Sequence, residues 1–246
     1  MRAAFVTGVS RGLGESIAAL LVDHGFRVCG FGRALSARLE RAGCQWVEVD
    51  FADAARSAAA CEAAMSAIAH EQPGYTVLVN NAAAAEPVGR FGAMSADGLA
   101  RALTVNLLAP ALLAELFCRI FPGPDGERRI VNVSSGAAQR AIPGAGHYSI
   151  AKAGLEMLTL ALAADHRDAG FRAVTVRPGI IDTGMQAFLR GQSPEVLPSA
   201  SMFQGFHRGG QLVPPDTTAR VIVDRLILDP VEHGRTYTYQ ELSGAA

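Results

Sequence analysis

The sequence is poor in charge, in cysteine pattern and in long apolar runs. Only 18% of its 246 residues are charged and the net charge is −1. No basic run or acidic tail occurs, which excludes the strong electrostatic attraction that nucleic acid or a membrane surface would need. The four cysteines, Cys29, Cys44, Cys61 and Cys118, are scattered without a C-x-x-C pair. That pattern excludes a disulfide framework and a thiolate metal centre, and it predicts buried reduced thiols in a cytoplasmic protein. The six histidines show no ligand spacing, so no metal is expected. His147 is expected to be structural or exposed. There is no signal-peptide pattern, and no apolar run reads as long and uninterrupted enough to span a bilayer, so a soluble protein with no membrane partner is expected.

What is present is apolar sequence in short pieces. Half the residues are hydrophobic, and the length suits one large α/β domain with a sizeable core. Short runs rich in β-branched and apolar residues read as strands: 3–7, 27–31, 45–49, 75–79, 130–133, 172–177 and 235–239. Helical stretches alternate with them: one from the 8–14 turn to Gly25, an Ala-rich one over 52–71, and a long one from the N-cap Ser95 to about Phe121. Asn106 lies in the middle of that long helix, where Pro110 is expected to kink it. Another helix should run through Lys152 to about Ala169 under a Gly170 cap, and a last one from the N-cap Asp216 to Leu228. Residues 185–212 read as an irregular lid with a short helix near 193–197. Strands alternating with helices, without repeat or linker, predict an α/β fold: one domain over 1–246, a doubly wound parallel sheet of Rossmann type.

Two stretches carry chemistry. Ile130–Lys152 runs from a buried strand into Ser134-Ser135, then to Tyr148 and Lys152 four residues apart. On a helix those two share a face, and an ammonium beside a phenol favours the phenolate. Ser135 supplies a hydroxyl for the oxygen that receives the proton. At the N-terminus, Thr7-Gly8-Val9-Ser10-Arg11-Gly12-Leu13-Gly14 lies between a strand and a helix. There glycines let backbone N–H groups approach a pyrophosphate at a helix N-terminus. After the second strand stands Arg33, with no acidic residue nearby. An arginine there accommodates a 2′-phosphate, and with Arg11 it favours NADP(H) over NAD(H).

Taken together, Thr7-Gly8-x-x-x-Gly12-x-Gly14, Asn80-Asn81-Ala82, Asn106, Ser135 with Tyr148-x-x-x-Lys152, and Pro178-Gly179 with Thr183 resemble the short-chain dehydrogenase/reductase family over nearly the whole chain. The resemblance implies Tyr148 as general acid for carbonyl reduction and Lys152 as the group that lowers its pKa and holds the nicotinamide ribose. It implies Ser135 as orienter of the carbonyl, and Asn106 as holder of a helix irregularity and a water in a proton relay. It further places Gly8, Ser10, Arg11, Gly12, Leu13 and Gly14 at the pyrophosphate side, with Arg33 at the 2′-phosphate. Asp50 and Phe51 would flank the adenine, Asn80 and Ala82 the adenosine ribose, and Pro178, Gly179, Ile181 and Thr183 the carboxamide side. The 178–186 stretch and the 210–215 stretch are similar to the sepiapterin reductase and bacterial benzil reductase branch. Ala83 replaces a usual glycine, and the segment between Arg33 and Gln45 is short. The implied activity is NADPH-dependent reduction of a ketone or diketone, in a homo-dimer or homo-tetramer. The alternatives are oxidation of an alcohol, an epimerase or dehydratase of the extended type, and a non-catalytic NADP(H) sensor.

Overall fold

The computed structural model describes residues 1–123 and 126–244. Strand β1 (Arg2–Thr7) leads into helix α1 (Gly12–Asp23), followed by β2 (Arg27–Gly32), the short α2 (Ala37–Arg41) and β3 (Gln45–Glu48). Helix α3 (Ala54–Ala69) and β4 (Tyr75–Asn80) follow. Next come α4 (Ala96–Leu103), a π turn (Thr104–Leu108) and α5 (Ala109–Ile120), then β5 (Glu127–Val133), α6 (Gly146–Asp165) and β6 (Phe171–Arg177). The remainder is α7 (Gly184–Arg190), α8 (Ala200–Arg208), α9 (Pro215–Ile222) running into a second π turn (Val223–Leu228), β7 (Thr236–Thr238) and α10 (Tyr239–Ser243).

Among the described residues the strands form one parallel sheet in the order β3-β2-β1-β4-β5-β6-β7. The order reverses beside β1, so the loops after β1 and β4 part over a crevice at the carboxyl edge, where ligands of doubly wound sheets bind. Adjacent residues of β1 face opposite ways and both faces are dry. Ala4 and Val6 join a core with Ile17, Leu21, Ile222 and Leu226, whereas Ala3 and Phe5 join Met65, Leu78, Phe117 and Phe171 on the other side. Helices on each face make it a single doubly wound domain.

Several local expectations are corrected. The long helix does not simply kink at Pro110; it widens into the π turn, and Pro110 opens α5. A proline amide has no hydrogen to offer the Asn106 carbonyl four residues back, so the regular ladder must break there. Taken as one piece, Ala96–Ile120 is long and apolar enough to cross a bilayer, contrary to expectation. It buries Ala102, Asn106, Leu113 and Phe117 in the domain and packs on α3 and α6. Helix α6 stops at Asp165, short of Ala169. The His166 ring packs tilted against Phe171 with centroids 4.8 Å apart, and Gly170 N–H donates to the Asp168 carboxylate at 3.2 Å instead of capping a helix. The lid forms two helices, α7 and α8, and a turn rather than a helix at 193–197; Gly191, Pro194 and Pro198 interrupt the helices there. Asp216 is not the N-cap: Pro214 takes that position, Pro215 starts the helix, and Asp216 pairs with Arg38 at 2.8 Å.

Candidate active site

The crevice is stapled from below by Thr7. Its Oγ1 accepts from the backbone N–H of both Asn81 and Ala82, each at 2.9 Å, and the Asn81 amide returns a bond to the Thr7 carbonyl at 2.9 Å. This locks the glycine turn after β1 to the turn after β4. Gly8 and Gly12 have φ of +75° and +64°, and a Cβ on Gly8 would lie 2.9 Å from the Ala82 backbone. Only glycine tolerates that conformation and approach. The first turn of α1 receives no side-chain cap from Arg11, so its N–H groups face the crevice as a phosphate cradle requires. Ser10 ties the turn to the end of β2, donating to the Ala34 carbonyl at 2.9 Å and accepting from its N–H at 3.2 Å. Arg33 stands exposed beside that pair. Arg11 leans the other way, its guanidinium carbon 3.5 Å from where a Cβ on Gly184 would be.

The remaining cofactor candidates fall on the same edge. Asp50 is exposed and turns its carboxylate to the Ala52 N–H at 3.0 Å, while Phe51 is buried in the core. Asn80 is 2% exposed and donates to the Asn132 side chain at 2.9 Å, leaving its own Oδ1 without a partner. The Pro178–Thr183 turn is sewn to Val213, which donates to Ile180 at 2.8 Å and accepts from Asp182 at 2.9 Å. Ile181 bridges to Val213, and Thr183 reaches back toward Gly12. The Leu13 side chain is buried in the core, so only its backbone faces the cradle.

Next to this cradle sit the chemistry-bearing side chains. Ser135 follows β5 and accepts from the Ala137 N–H at 3.2 Å. Tyr148 and Lys152 share a face of α6, with Lys152 Nζ 5.6 Å from the Tyr148 ring centroid. The ammonium, 2% exposed, donates to the Val133 carbonyl at 2.8 Å. Burial lowers Lys152 to about 8. Burial also pushes the Tyr148 phenol up to about 12, against a smaller downward pull from the Ser135 hydroxyl. The phenol is thus raised by desolvation rather than lowered as its lysine neighbour predicts. Asn106, wholly buried within the π turn, clamps the 84 backbone from both sides. It accepts from Ala84 N–H at 3.1 Å, donates to its carbonyl at 2.8 Å, and donates to Ala102 at 2.8 Å.

Sequence reasoning passed over Thr7 and Asn81 as site builders, although both stand inside the motifs it used. It also left His147 as a structural or exposed residue. His147 is wholly buried, and burial lowers its pKa against a smaller upward pull from the Ala85 backbone, which lies outside ideal hydrogen-bond geometry. Above Tyr148 an apolar cluster closes the mouth: Val88, Ile142, Leu189, Met202 and Phe203. Ser199 pins the lid by donating to the Pro143 carbonyl at 2.8 Å. Among the described residues, no group of His, Cys, Asp and Glu side chains has the arrangement of a metal site.

With this geometry in place, comparison with known proteins is informative. Residues 2–193 match the family model described as short chain dehydrogenase. The chain is 31% identical over 238 residues to the benzil reductase ((S)-benzoin forming) of Bacillus subtilis, covering 96% of this chain and 97% of that one. A solved short chain dehydrogenase/reductase from Saccharomyces cerevisiae superposes with a TM-score of 0.86 at 25% identity, covering 100% of this chain and 98% of its own. A short chain dehydrogenase from Burkholderia cenocepacia, solved in complex with NADP, gives 0.74 at 26% identity, covering 96% and 94%.

Proposed function

We propose that this chain, which belongs to the short chain dehydrogenase family, is an NADPH-dependent reductase of ketones or 1,2-diketones. One observation carries the reading: Ser135, Tyr148 and Lys152 converge at the carboxyl edge beside a glycine cradle shaped for a pyrophosphate. The benzil reductase of Bacillus subtilis supports the diketone class, and the NADP complex of the Burkholderia protein supports the cofactor.

When bound, the nicotinamide supplies the hydride. The Tyr148 hydroxyl gives its proton to the oxygen of the reacting carbonyl, and Ser135 stabilises the charge developing on that oxygen. Lys152, mostly protonated at neutral pH with a pKa near 8, steadies the phenolate that remains. Asn106 holds the π turn and the segment at Ala84, leaving a break in the helix ladder through which a water can relay a proton to Lys152. Gly8, Ser10, Arg11, Gly12, Leu13 and Gly14 would hold the pyrophosphate, Arg33 the 2′-phosphate, Asp50 and the backbone of Phe51, whose ring is buried in the core, the adenine, and Asn80 and Ala82 the ribose. Pro178, Gly179, Ile181 and Thr183 hold the carboxamide side. The apolar cluster over Tyr148 suits an aryl or alkyl ketone rather than a charged substrate.

Leu108, Ile150, Met157 and Leu160 are large exposed apolar side chains on the α4–α5 rod and α6, and they suit a homo-dimer or homo-tetramer built on those helices. Four free cysteines fit a cytoplasmic setting. The test is oxidation of NADPH against benzil, sepiapterin and simple aryl ketones, with NADH in parallel. Turnover of a diketone with NADPH is expected. Tight NADPH binding with no turnover on any carbonyl would overturn the reductase reading in favour of a sensor.

A further inference from the structure

Helix α6 carries Glu156 one turn beyond Lys152, and its carboxylate is spoken for from two sides. Ser134 Oγ donates to Oε1 at 2.8 Å, Arg177 Nε donates to the same oxygen at 2.8 Å, and Arg177 Nη2 donates to Oε2 at 2.6 Å. The Arg177 and Glu156 side chains are only 17% and 16% exposed. A two-pronged arginine–carboxylate pair fixes angle as well as distance, unlike the exposed single-contact pairs elsewhere on this surface, which are worth little.

What makes the pair informative is where its partners stand. Ser134 immediately precedes Ser135, and Arg177 immediately precedes the Pro178–Gly179 turn. Ser134 N–H also donates to the Val176 carbonyl at 2.8 Å, and its hydroxyl lies 3.4 Å from the Lys152 carbonyl. One carboxylate thus joins three pieces of the site: the helix with Tyr148 and Lys152, the turn with Ser135, and the turn on the nicotinamide side. None of these bonds touches a reacting atom.

We propose that Glu156 is a positioning residue that locks the Ser134–Ser135 turn and the Arg177–Gly179 turn onto helix α6, setting the spacing between proton donor, oxyanion donor and hydride side. The proposal rests on the reductase reading for its catalytic consequence, and on the contacts alone for its structural one. The test compares the full-length protein with Glu156→Leu, Glu156→Gln and Ser134→Ala. Amide hydrogen exchange is expected to rise on the order of tenfold at residues 134–138 and 179–180 in Glu156→Leu, with β1 and β4 unchanged. The kcat per NADPH-binding site is expected to fall roughly 10- to 100-fold, since an ångström of misplacement costs that much, with KM for the ketone nearly constant. Glu156→Gln, whose oxygen can still accept from Ser134 and Arg177 Nε but whose NH2 then faces the Arg177 Nη2 donor, should lose less rate and show less added exchange than Glu156→Leu. Ser134→Ala, a change too small to threaten folding, should show the same exchange pattern around 134–138 and should add little to Glu156→Leu in the double variant. Unchanged local exchange in both Glu156→Leu and Ser134→Ala would overturn the clamp whatever the activity. A lower melting temperature with unchanged kcat per site would overturn its role in positioning. Absence of turnover in the parent protein would instead count against the reductase reading, with the exchange data still deciding the clamp.

Discussion

Replacing Lys152 by methionine should lower activity and change stability by an amount that depends on pH. In the folded protein burial lowers Lys152 from 10.5 to about 8. The unfolded chain therefore binds the proton more tightly, and below pH 8 the native state carries the full cost of holding a desolvated charge. A difference of about 2.5 units at about 1.4 kcal/mol per unit makes that cost roughly 3 kcal/mol at pH 7. It shrinks to roughly 2 kcal/mol at pH 9 and below about 1 kcal/mol at pH 10, because the unfolded lysine then loses its proton as well. Methionine removes the charge but leaves the Val133 carbonyl without its donor, a loss of about 1–3 kcal/mol that does not vary with pH. The net change at pH 7 is thus small, and the informative quantity is its slope. Urea unfolding of the parent and Lys152→Met at pH 7, 8, 9 and 10 should show the variant's relative stability falling by roughly 2–3 kcal/mol over that range. Effects of Cys29 and Cys61, which burial raises to about 12 and which cost the fold stability at higher pH, cancel in the comparison. A pH-independent difference would refute the picture of a buried ammonium.

Other changes probe the remaining parts. Tyr148→Phe should lower kcat by about two or more orders of magnitude while leaving NADPH affinity nearly intact, as loss of a general acid does; single-turnover reduction measures both. Asn106→Ala removes three hydrogen bonds from a wholly buried site, leaving the Ala84 N–H and carbonyl unpaired. It should cost roughly 2–4 kcal/mol in urea unfolding. Arg33→Asp replaces an attractive charge by a repulsive one and should lower the preference for NADPH over NADH by about tenfold or more, read from kcat/KM with each cofactor.

Most of the fold was legible because its signals are local. Strands dry on both faces, such as 3–7 and 130–133, read as apolar runs without alternation, and the glycine turn names its own context. Many motif residues of the site were legible for the same reason: the glycine turn, Asn80–Ala82, Ser135 and Pro178–Thr183 stand at or just after strand ends, which the parallel sheet delivers to one edge, whereas Tyr148 and Lys152 were read from their helical spacing. What stayed hidden depends on tertiary partners. The lid helices are short and interrupted by Gly191 and Pro198, and they fold because Leu189, Met202 and Phe203 pack over Tyr148. Asp216 is drawn from its expected capping role by Arg38, which lies 178 residues earlier. The end of α6 is set by Phe171 and Asp168 rather than by Gly170.

The same division explains why the acid–base pair cannot be judged from spacing alone. Four residues on a helix bring a lysine beside a tyrosine, and in water that neighbour would favour the phenolate. In this protein both groups are buried, so desolvation opposes charge on each: the phenol moves up and the ammonium moves down. A donor held protonated near pH 12 is well suited to wait as an acid but is a poor one until charge appears next to it. The Val133 carbonyl keeps the ammonium in place beneath the ring, and the Ser135 hydroxyl already pulls the phenol down. In the proposed reduction, negative charge growing on the substrate oxygen would draw the proton toward it, and the charge left on Tyr148 would rest beside Lys152, where an interior of low dielectric rewards the pairing more than water would. On that reading the site would be costly at rest and stabilised as the reaction proceeds, which is the order that catalysis requires.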